Sequence, residues 1–262
     1  MALPPPAEGS TCLVTGASSG IGAEIARELA ARGHRVTLMA RREDRLRELA
    51  AEIEGEVVTC DVSDEKARNR AAGEIEERGL AVEVLVNNAG VGTAGRFQDR
   101  DQERELSLVR TNVEAVLDFC GKYVPRMVQR GRGAVLNVAS TAAFQPLPRQ
   151  ATYSASKAFV LHFTEALSTD LQGTGVTATA LCPGPVPTEF VETAGIAAEL
   201  RNGPGIVYKS PAEVAKAAVE AVEKGRRVVV PGAANRIGSV LGHYTPNPVA
   251  LKLIDRFYPV GK

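Results

Sequence analysis

The sequence carries no excess charge of either sign, because 31 Lys and Arg residues balance 31 Asp and Glu residues. A net charge of zero gives no electrostatic reason to expect a nucleic acid or an anionic membrane as partner. No apolar run approaches the roughly 18 residues that span a bilayer, so we expect no integral membrane segment. The opening residues MALPPPAEGS lack the basic start and apolar stretch of a signal peptide. We expect residues 1–10 to be a short disordered lead.

Cysteine and histidine are too few and too scattered to predict a metal site. The four cysteines, Cys12, Cys60, Cys120 and Cys182, form no CxxC pair, and the three histidines do not cluster. This spacing predicts neither a zinc site nor a disulfide framework, and we assign no metal ligand. We expect the cysteines to be buried as small apolar side chains of a cytoplasmic protein.

Short apolar runs alternate with helical patterns along the whole chain. We predict strands over 11–16, 35–40, 56–60, 82–88, 133–140, 176–182 and 227–232. We predict helices over 21–31, 42–53, 64–78, 99–130, 151–172 and 211–224. Strands that are apolar throughout and separated by helices indicate a parallel sheet buried on both faces. No composition break or repeat divides the chain. We therefore predict one α/β domain over 1–262, a Rossmann-type, doubly wound, seven-stranded parallel sheet.

A glycine-rich segment, TGASSGIG over 15–22, lies between the first predicted strand and the first helix. Gly16, Gly20 and Gly22 would allow a tight turn and let a pyrophosphate approach the backbone at a helix N-terminus. The alternative is that the turn needs these glycines for its geometry alone. In sheets of this kind ligands bind beyond the carboxyl ends of the strands, which favours the first interpretation.

The end of the second predicted strand, MARRED, bears on the choice of dinucleotide. Ala40 stands where an acid would hold the ribose hydroxyls of NAD, and Arg41 and Arg42 follow it. Because a guanidinium pairs well with phosphate oxygens, this pattern favours NADP(H), with Arg41 as the predicted contact of the 2′-phosphate. The alternative is a charged helix start on a solvated face, which is our interpretation of Arg42.

Seven motifs in order are similar to those of the short-chain dehydrogenase/reductase family, non-extended subgroup with a YxxxK motif. They are TGASSGIG, CDV, NNAG, TNV, NVAS, YSASK and PGPVPT, and the resemblance covers about residues 11–232. The family transfers hydride between a nicotinamide and a carbonyl or alcohol carbon. The resemblance therefore implies an NADP(H)-dependent ketone or aldehyde reductase or alcohol dehydrogenase, with a small-molecule substrate.

The resemblance also implies a catalytic set of Asn112, Ser140, Tyr153 and Lys157. Tyr153 would be the general acid in reduction, and Lys157, one helical turn later, would lower its pKa from the usual value of about 10. Ser140 would donate a hydrogen bond to the substrate oxygen, with Thr141 as a local competitor. Asn112 would break its helix locally and hold a water that relays protons to the lysine.

The implied cofactor contacts come from the ends of five predicted strands and from the helix predicted over 151–172. They are Gly16, Ser18, Ser19, Gly20, Ile21, Gly22, Arg41, Asp61, Val62, Asn88, Ala89, Gly90, Tyr153, Lys157, Pro183, Gly184, Val186 and Thr188. Asp61 would meet the adenine amino group, and Val186 would offer its backbone to the nicotinamide amide. Asn87 would instead be structural and tie neighbouring strands.

Two segments beyond the shared motifs leave the substrate open. Residues 189–210 are expected to form a substrate lid, and residues 232–262 form a C-terminal extension with apolar residues at helical spacing over 249–258. That extension would dock onto the domain or a subunit, or contact a membrane surface. Reduction of a 3-oxoacyl thioester and non-catalytic NADP(H) sensing stay open as alternative functions. The resemblance further implies a homodimer or homotetramer, paired through helices 99–130 and 151–172.

Overall fold

The computed structural model describes residues 3–195 and 207–257 and contains one seven-stranded sheet. Its strands are β1 Ser10–Thr15, β2 Val36–Ala40, β3 Glu56–Thr59, β4 Ala81–Asn87, β5 Gly133–Val138, β6 Val176–Leu181 and β7 Val228–Val229. They lie in the order β3-β2-β1-β4-β5-β6-β7, and every neighbouring pair is parallel. The predicted fold class and all seven strands are confirmed, although β7 is shorter than expected.

Helices cover both faces of the sheet. They are α1 Gly20–Ala30, α2 Glu43–Ile53, α3 Glu65–Glu77, α4 Gln102–Val109, α5 Ala115–Arg130, α6 Ala151–Asp170, α7 Glu189–Thr193, α8 Pro211–Glu223, α9 Ala233–Tyr244 and α10 Asn247–Phe257. Helix α8 begins as its sequence predicts, because Ser210 and Glu213 cap each other's backbone N–H groups. The periodic patterns thus locate the helices to within a few residues at most ends.

Successive strand residues feed two separate apolar layers. Leu13 packs in one layer with Phe119 of α5, while its neighbour Val14 packs in the other layer with Ile25 of α1 and Val219 of α8. Both strand residues are fully buried. Alternate side chains therefore stabilise opposite faces, which explains why the strands are apolar throughout.

The winding of the chain reverses between β1 and β4, which are neighbours in the sheet. From β1 the chain proceeds outward to β2 and β3, and it then returns to β4 and continues to the opposite edge. The loops after β1 and β4 therefore leave in opposite directions. A crevice opens outside the carboxyl ends of the strands at such a point, and this is where a ligand is expected.

The helix predicted over 99–130 begins later than expected and is interrupted around Asn112, where the family resemblance implies a local break. Asp101 accepts a hydrogen bond from the Arg104 backbone N–H at 2.9 Å, so α4 begins at Gln102 rather than at residue 99. A π-helical turn over Arg110–Glu114 then separates α4 from α5. Such turns widen a helix locally and are frequent at functional sites.

The disordered lead predicted over 1–10 is wrong for residues 3–10. Ser10 already belongs to β1, Pro4 is buried, and Leu3 packs against the apolar layer that contains Val14. The Arg132 side chain also donates a hydrogen bond to the Pro5 carbonyl at 3.3 Å. Non-local contacts therefore hold a segment whose composition alone suggests disorder.

The structure can be compared with what the composition predicts about cysteines, metal-binding groups and membrane-spanning helices. The four cysteines are free and buried, as predicted. Within residues 3–195 and 207–257, no group of three or more His, Cys, Asp or Glu side chains is placed to hold a metal ion. In the same ranges, no helix combines the length and apolarity needed to cross a bilayer.

Candidate active site

A cleft of about 920 Å³ lies at the carboxyl ends of the strands, on the side of the β1/β4 crevice. Its lining includes residues that follow each of strands β1 to β6. Every residue predicted for the site lines it except Gly22 and Asn112. The fold therefore gathers into one cavity predicted residues that are up to 172 positions apart in sequence, from Gly16 to Thr188.

Tyr153 and Lys157 lie on the buried face of α6 and reach this cleft together. Only 9% of Tyr153 and 5% of Lys157 is exposed. The Lys157 Nζ donates a hydrogen bond to the Val138 carbonyl at 2.8 Å and lies 5.9 Å from the centre of the Tyr153 ring. The spacing of four residues thus puts the ammonium beside the phenol, as the sequence predicts.

Burial dominates the protonation of both groups. It raises the pKa of the Tyr153 phenol, and a hydrogen bond with Ser140 only partly opposes that rise. Burial also lowers the pKa of the Lys157 ammonium to about 8. The expected lowering of the Tyr153 pKa is therefore not seen in this structure, because desolvation outweighs the hydrogen bond with Ser140.

Ser140 lies two residues beyond the end of β5 and is the N-cap of a 3₁₀ turn over Thr141–Phe144. Its Oγ accepts a hydrogen bond from the Ala142 backbone N–H at 3.1 Å, which fixes the hydroxyl at the floor of the cleft. Of the two neighbouring hydroxyls, that of Ser140 interacts with the Tyr153 phenol. This contact favours Ser140 over Thr141 as the polar partner of the tyrosine.

Asn112 lies in the π-helical turn and is almost fully buried. Its side chain accepts from the Val91 N–H at 2.9 Å and donates to the Val91 carbonyl at 2.9 Å and to Ser156 Oγ at 3.1 Å. A Cβ built on Gly90 would lie 3.4 Å from both Asn112 Oδ1 and Lys157 Nζ. The local helix break is therefore present, while the proton-relaying water stays a prediction.

The glycine loop packs directly against the NNAG segment. The Asn88 Nδ2 donates to the carbonyls of Thr15 and Gly16 at 2.9 and 3.2 Å. A Cβ on Gly22 would come within 2.3 Å of that same Nδ2. Gly20 has φ +58°, a conformation that favours glycine, and a Cβ built there would lie 3.0 Å from the Thr188 side chain. The glycines are thus required by packing as well as by any ligand.

The end of α1 at this loop is prepared for an anion. Ser19 is the N-cap residue, but its side chain makes no cap hydrogen bond with the helix. Instead Arg42 Nη2 donates to Ser19 Oγ at 2.9 Å and to Ser18 Oγ at 3.1 Å. A guanidinium and uncapped helical N–H groups therefore face the same end of the cleft.

Arg41 and Arg42 diverge although they are adjacent. Arg41 is 71% exposed and lies 3.7 Å from Asp61, which also accepts hydrogen bonds from Ser63. Arg42 instead reaches the glycine loop, where it donates a hydrogen bond to Ser18. The sequence pattern predicts only a solvated charge at Arg42, so this contact is a correction. The two adjacent arginines indicate a site for a phosphate, but the sequence does not show which of the two guanidinium groups reaches the glycine loop.

Some cleft residues were not singled out by any motif. The Phe190 ring of α7 lies 5.7 Å from the Tyr153 ring, centre to centre. Asn235 of α9 donates to the carbonyls of Val207 and Pro231 and packs against Gly184, whose Cβ would come within 2.5 Å of it. Nothing in the spacing of the chain marks these side chains, since they come from segments outside the shared motifs.

Asn87 has the structural role that its sequence suggests. Its Nδ2 donates to Asn137 Oδ1 at 2.8 Å, and the two residues are opposite each other in β4 and β5. Asn137 in turn donates to Thr164 of α6 at 2.9 Å. This buried chain of hydrogen bonds ties two strands to the helix that carries Tyr153.

The C-terminal extension docks onto the domain. Ile254 of α10 packs near Leu108 and Tyr153, and Asp255 forms an ion pair with Arg149 at 2.8 Å. Leu253 and Ile254 line the cleft. Part of the lid predicted over 189–210 is α7, whereas residues 196–206 lie outside the described ranges, as does residue 258 of the predicted tail helix.

Comparisons with known proteins agree with this geometry. The family described as short chain dehydrogenase matches residues 10–198. Sulfoacetaldehyde reductase 2 of Chromohalobacter salexigens is 41% identical over 70% of this chain and 76% of its own length. A putative ketoacyl reductase of Streptomyces coelicolor is 37% identical over 90% of this chain and 91% of its own.

Among solved structures, a short-chain dehydrogenase from Sphingobium yanoikuyae in complex with NADPH superposes with a TM-score of 0.79. It is 33% identical, and the match covers 89% of this chain and 92% of that one. The sheet order, the cleft and the paired Tyr153 and Lys157 are thus accompanied by similarity over nearly the whole chain. The chain belongs to the short-chain dehydrogenase/reductase family of oxidoreductases.

Proposed function

We propose that the chain is an NADP(H)-dependent oxidoreductase that interconverts a ketone or aldehyde with its alcohol. The observation that carries this proposal is the composition of one cleft. Its floor contains Tyr153, Lys157 and Ser140, and its other end contains the glycine loop with Arg42 above it. The NADPH complex of the Sphingobium yanoikuyae relative supports the same cofactor.

The residues of the cleft fit a dinucleotide. Glycines keep the cleft open, since a Cβ at Gly16 would crowd the Ala89 backbone and one at Gly20 would crowd Thr188. The uncapped start of α1 suits a pyrophosphate, because its N–H groups lack intrahelical partners. Arg41 and Arg42 suit a 2′-phosphate, and a volume of about 920 Å³ is within the range of ligand pockets.

Bound NADPH would supply the hydride that adds to the carbonyl carbon. As the carbon–oxygen double bond becomes a single bond, negative charge develops on the oxygen. The Tyr153 hydroxyl donates its proton to that oxygen, and Ser140 stabilises it with a hydrogen bond. A phenol whose pKa is raised by burial stays protonated at neutral pH, so in the reductive direction it is ready to act as an acid.

Lys157 keeps a cation within the floor. Its pKa of about 8 leaves most of the ammonium protonated at pH 7. The phenolate left after proton donation would lie near this charge, which stabilises it. Asn112 sets the position of the backbone at Val91 and would hold the water through which the proton is replaced.

The substrate end of the cleft is apolar with a few polar groups. Phe190, Leu147 and Ile254 surround the Tyr153 ring, and the amide of Gln150 also lines the cavity. Apolar walls around a carbonyl-activating floor suit a hydrophobic carbonyl compound of medium size. The helices that supply Phe190 and Ile254 are therefore the parts of this chain that select the substrate.

A second candidate is reduction of a 3-oxoacyl thioester. The putative ketoacyl reductase of Streptomyces coelicolor supports it, because that similarity extends over 90% of this chain. The chemistry at the carbonyl would be the same, so only the body of the substrate differs. Turnover of a thioester would therefore depend on whether the residues lining the walls of the cleft accommodate the acyl chain, since the residues of the floor act on the carbonyl in either case.

The proposed function is tested by a substrate panel in which the loss of NADPH absorbance is followed. The panel contains simple ketones, aldehydes and 3-oxoacyl thioesters, each also assayed with NADH. We expect turnover with NADPH on at least one hydrophobic ketone or aldehyde. Tight NADPH binding without turnover on any carbonyl would instead favour a cofactor sensor.

We further infer a homodimer that pairs through α5 and α6. Leu117, Val128 and Phe159 on these helices are between 37% and 50% exposed and offer apolar surface that a second subunit could cover. Val116, which precedes Leu117 on α5, is instead buried in the core. Light scattering at micromolar concentration should report twice the mass of the chain, and a monomer would contradict the inference.

A further inference from the structure

The first residue of helix α7 is tied to the glycine loop by charge. Glu189 Oε2 lies 2.7 Å from Arg42 Nη1, and Glu189 Oε1 lies 3.8 Å from Arg45. The same Arg42 guanidinium donates to Ser18 and Ser19. One arginine thus joins the segment after β6, where the expected lid begins, to the loop after β1.

This carboxylate is ionised at neutral pH. The hydrogen bond from Arg42 holds the pKa of Glu189 below its usual range, although burial slightly opposes the effect. The side chains of Arg42 and Glu189 are 42% and 44% exposed, so water and solutes reach the pair. An exposed ion pair of this kind is weak, and a stronger anion can replace one of its members.

We propose that Glu189 occupies Arg42 in place of the cofactor's 2′-phosphate, and that the phosphate displaces this carboxylate when NADP(H) binds. The proposal rests on the proposed use of NADP(H). The phosphate carries more charge than a carboxylate and presents more acceptor oxygens to the guanidinium. Displacement breaks the contact that pins the start of α7.

Two consequences follow for cofactor recognition. NAD(H) has no 2′-phosphate, so it leaves the Arg42–Glu189 pair intact and α7 pinned. Glu189 is then a specificity-determining residue, because each NADP(H) that binds must first compete with it. It also couples the phosphate to α7, whose Phe190 contacts the catalytic tyrosine.

The test uses adenosine 2′,5′-bisphosphate, which carries the 2′-phosphate but no nicotinamide, and 5′-AMP as the ligand without it. Calorimetric titration is performed on the whole chain, on Glu189→Gln and on Glu192→Gln. Glu192 is the matched control, because it lies on α7 but forms no ion pair with Arg42 or Arg45. We expect Glu189→Gln to bind the bisphosphate about two- to fivefold more tightly. Binding of 5′-AMP, and both affinities of Glu192→Gln, should match those of the unchanged chain.

Hydrogen exchange gives a second readout that does not depend on turnover. Adding the bisphosphate should speed amide exchange over 189–193 in the unchanged chain, whereas 5′-AMP should not. In Glu189→Gln that exchange should be fast before any ligand is added.

Two results would overturn the proposal, and they are distinguishable. If the unchanged chain prefers the bisphosphate but Glu189→Gln binds it equally or more weakly, Glu189 supports Arg42 rather than competing with the phosphate. In that case the use of NADP(H) still stands. If the unchanged chain binds the bisphosphate and 5′-AMP equally, the phosphate does not reach Arg42, and both the inference and the NADP(H) preference fail.

Discussion

The floor and the rim of the cleft are built on different physical terms. The floor consists of Ser140, Tyr153 and Lys157, of which the tyrosine and the lysine are at least nine-tenths buried. The rim is the exposed pair of Arg42 and Glu189. On the floor, desolvation disfavours the charged forms, so it raises the pKa of Tyr153 and lowers the pKa of Lys157. On the rim, the hydrogen bond from Arg42 favours the ionised carboxylate of Glu189 and lowers its pKa.

This difference assigns chemistry to one end and selection to the other. A buried group has a fixed position and a protonation state set by the fold, which suits proton transfer. An exposed charge exchanges partners easily, which suits the recognition of a ligand's charge. Changes on the floor should therefore alter the rate of reaction, and changes on the rim should alter the choice of cofactor.

The largest expected effect comes from removing the acid on the floor. Tyr153→Phe keeps the buried ring but deletes the hydroxyl that donates the proton, so kcat should fall by about 10²- to 10⁴-fold. The affinity for NADPH should change little, because the aromatic ring still packs against Phe190. Fluorescence titration of NADPH alongside turnover checks both parts. Turnover near that of the unchanged chain would show that Tyr153 is not the acid.

A smaller effect is expected at the rim. Arg42→Ala removes a guanidinium from the glycine loop, so the Kd for NADPH should rise by roughly tenfold while that for NADH hardly changes. Arg41→Ala is the matched comparison, and its effect should be smaller because Arg41 is 71% exposed and points to Asp61. Titration of both cofactors measures this. The opposite order of effects would restore Arg41 as the main contact of the phosphate, as its sequence position suggests.

The smallest effect concerns stability and pH. Burial lowers the pKa of Lys157 from 10.5 to about 8, so the folded chain binds fewer protons than the unfolded chain between these values. Stability from this group therefore rises with pH across that window. In Lys157→Met the dependence is absent, so the unfolding free energy of the variant relative to the unchanged chain should fall by roughly 1.4 kcal/mol for each pH unit within the window.

Urea unfolding at several pH values between about 7 and 10 measures that difference. The comparison is between two chains at each pH, so other titrating groups largely cancel. A difference that stays constant with pH would mean that Lys157 is not desolvated in the folded chain, and the contrast between floor and rim would lose its basis.

Local patterns predicted the fold because the spacing of apolar and capping residues within each strand and helix depends on which of its faces are buried and where it begins. The apolar run at β1 reads as a doubly buried strand wherever it lies, and the capping box at Ser210 fixes the start of α8 without tertiary contacts. The pattern failed where long-range contacts decide. The helix expected over 99–130 is interrupted because Asn112 turns its amide to the backbone of Val91.

The amino-acid sequence alone shows which residue types can meet at the strand ends. The glycine loop, the Tyr153–Lys157 spacing and the Arg41–Arg42 doublet are visible in the chain, because helical and strand geometry convert spacing into a common face. The tertiary structure decided what surrounds those groups. Only burial reveals that the pKa of Tyr153 is raised rather than lowered, and only packing shows that Arg42 crosses to the glycine loop and meets Glu189. Desolvation and ion pairing depend on atoms from distant segments, which no local pattern encodes.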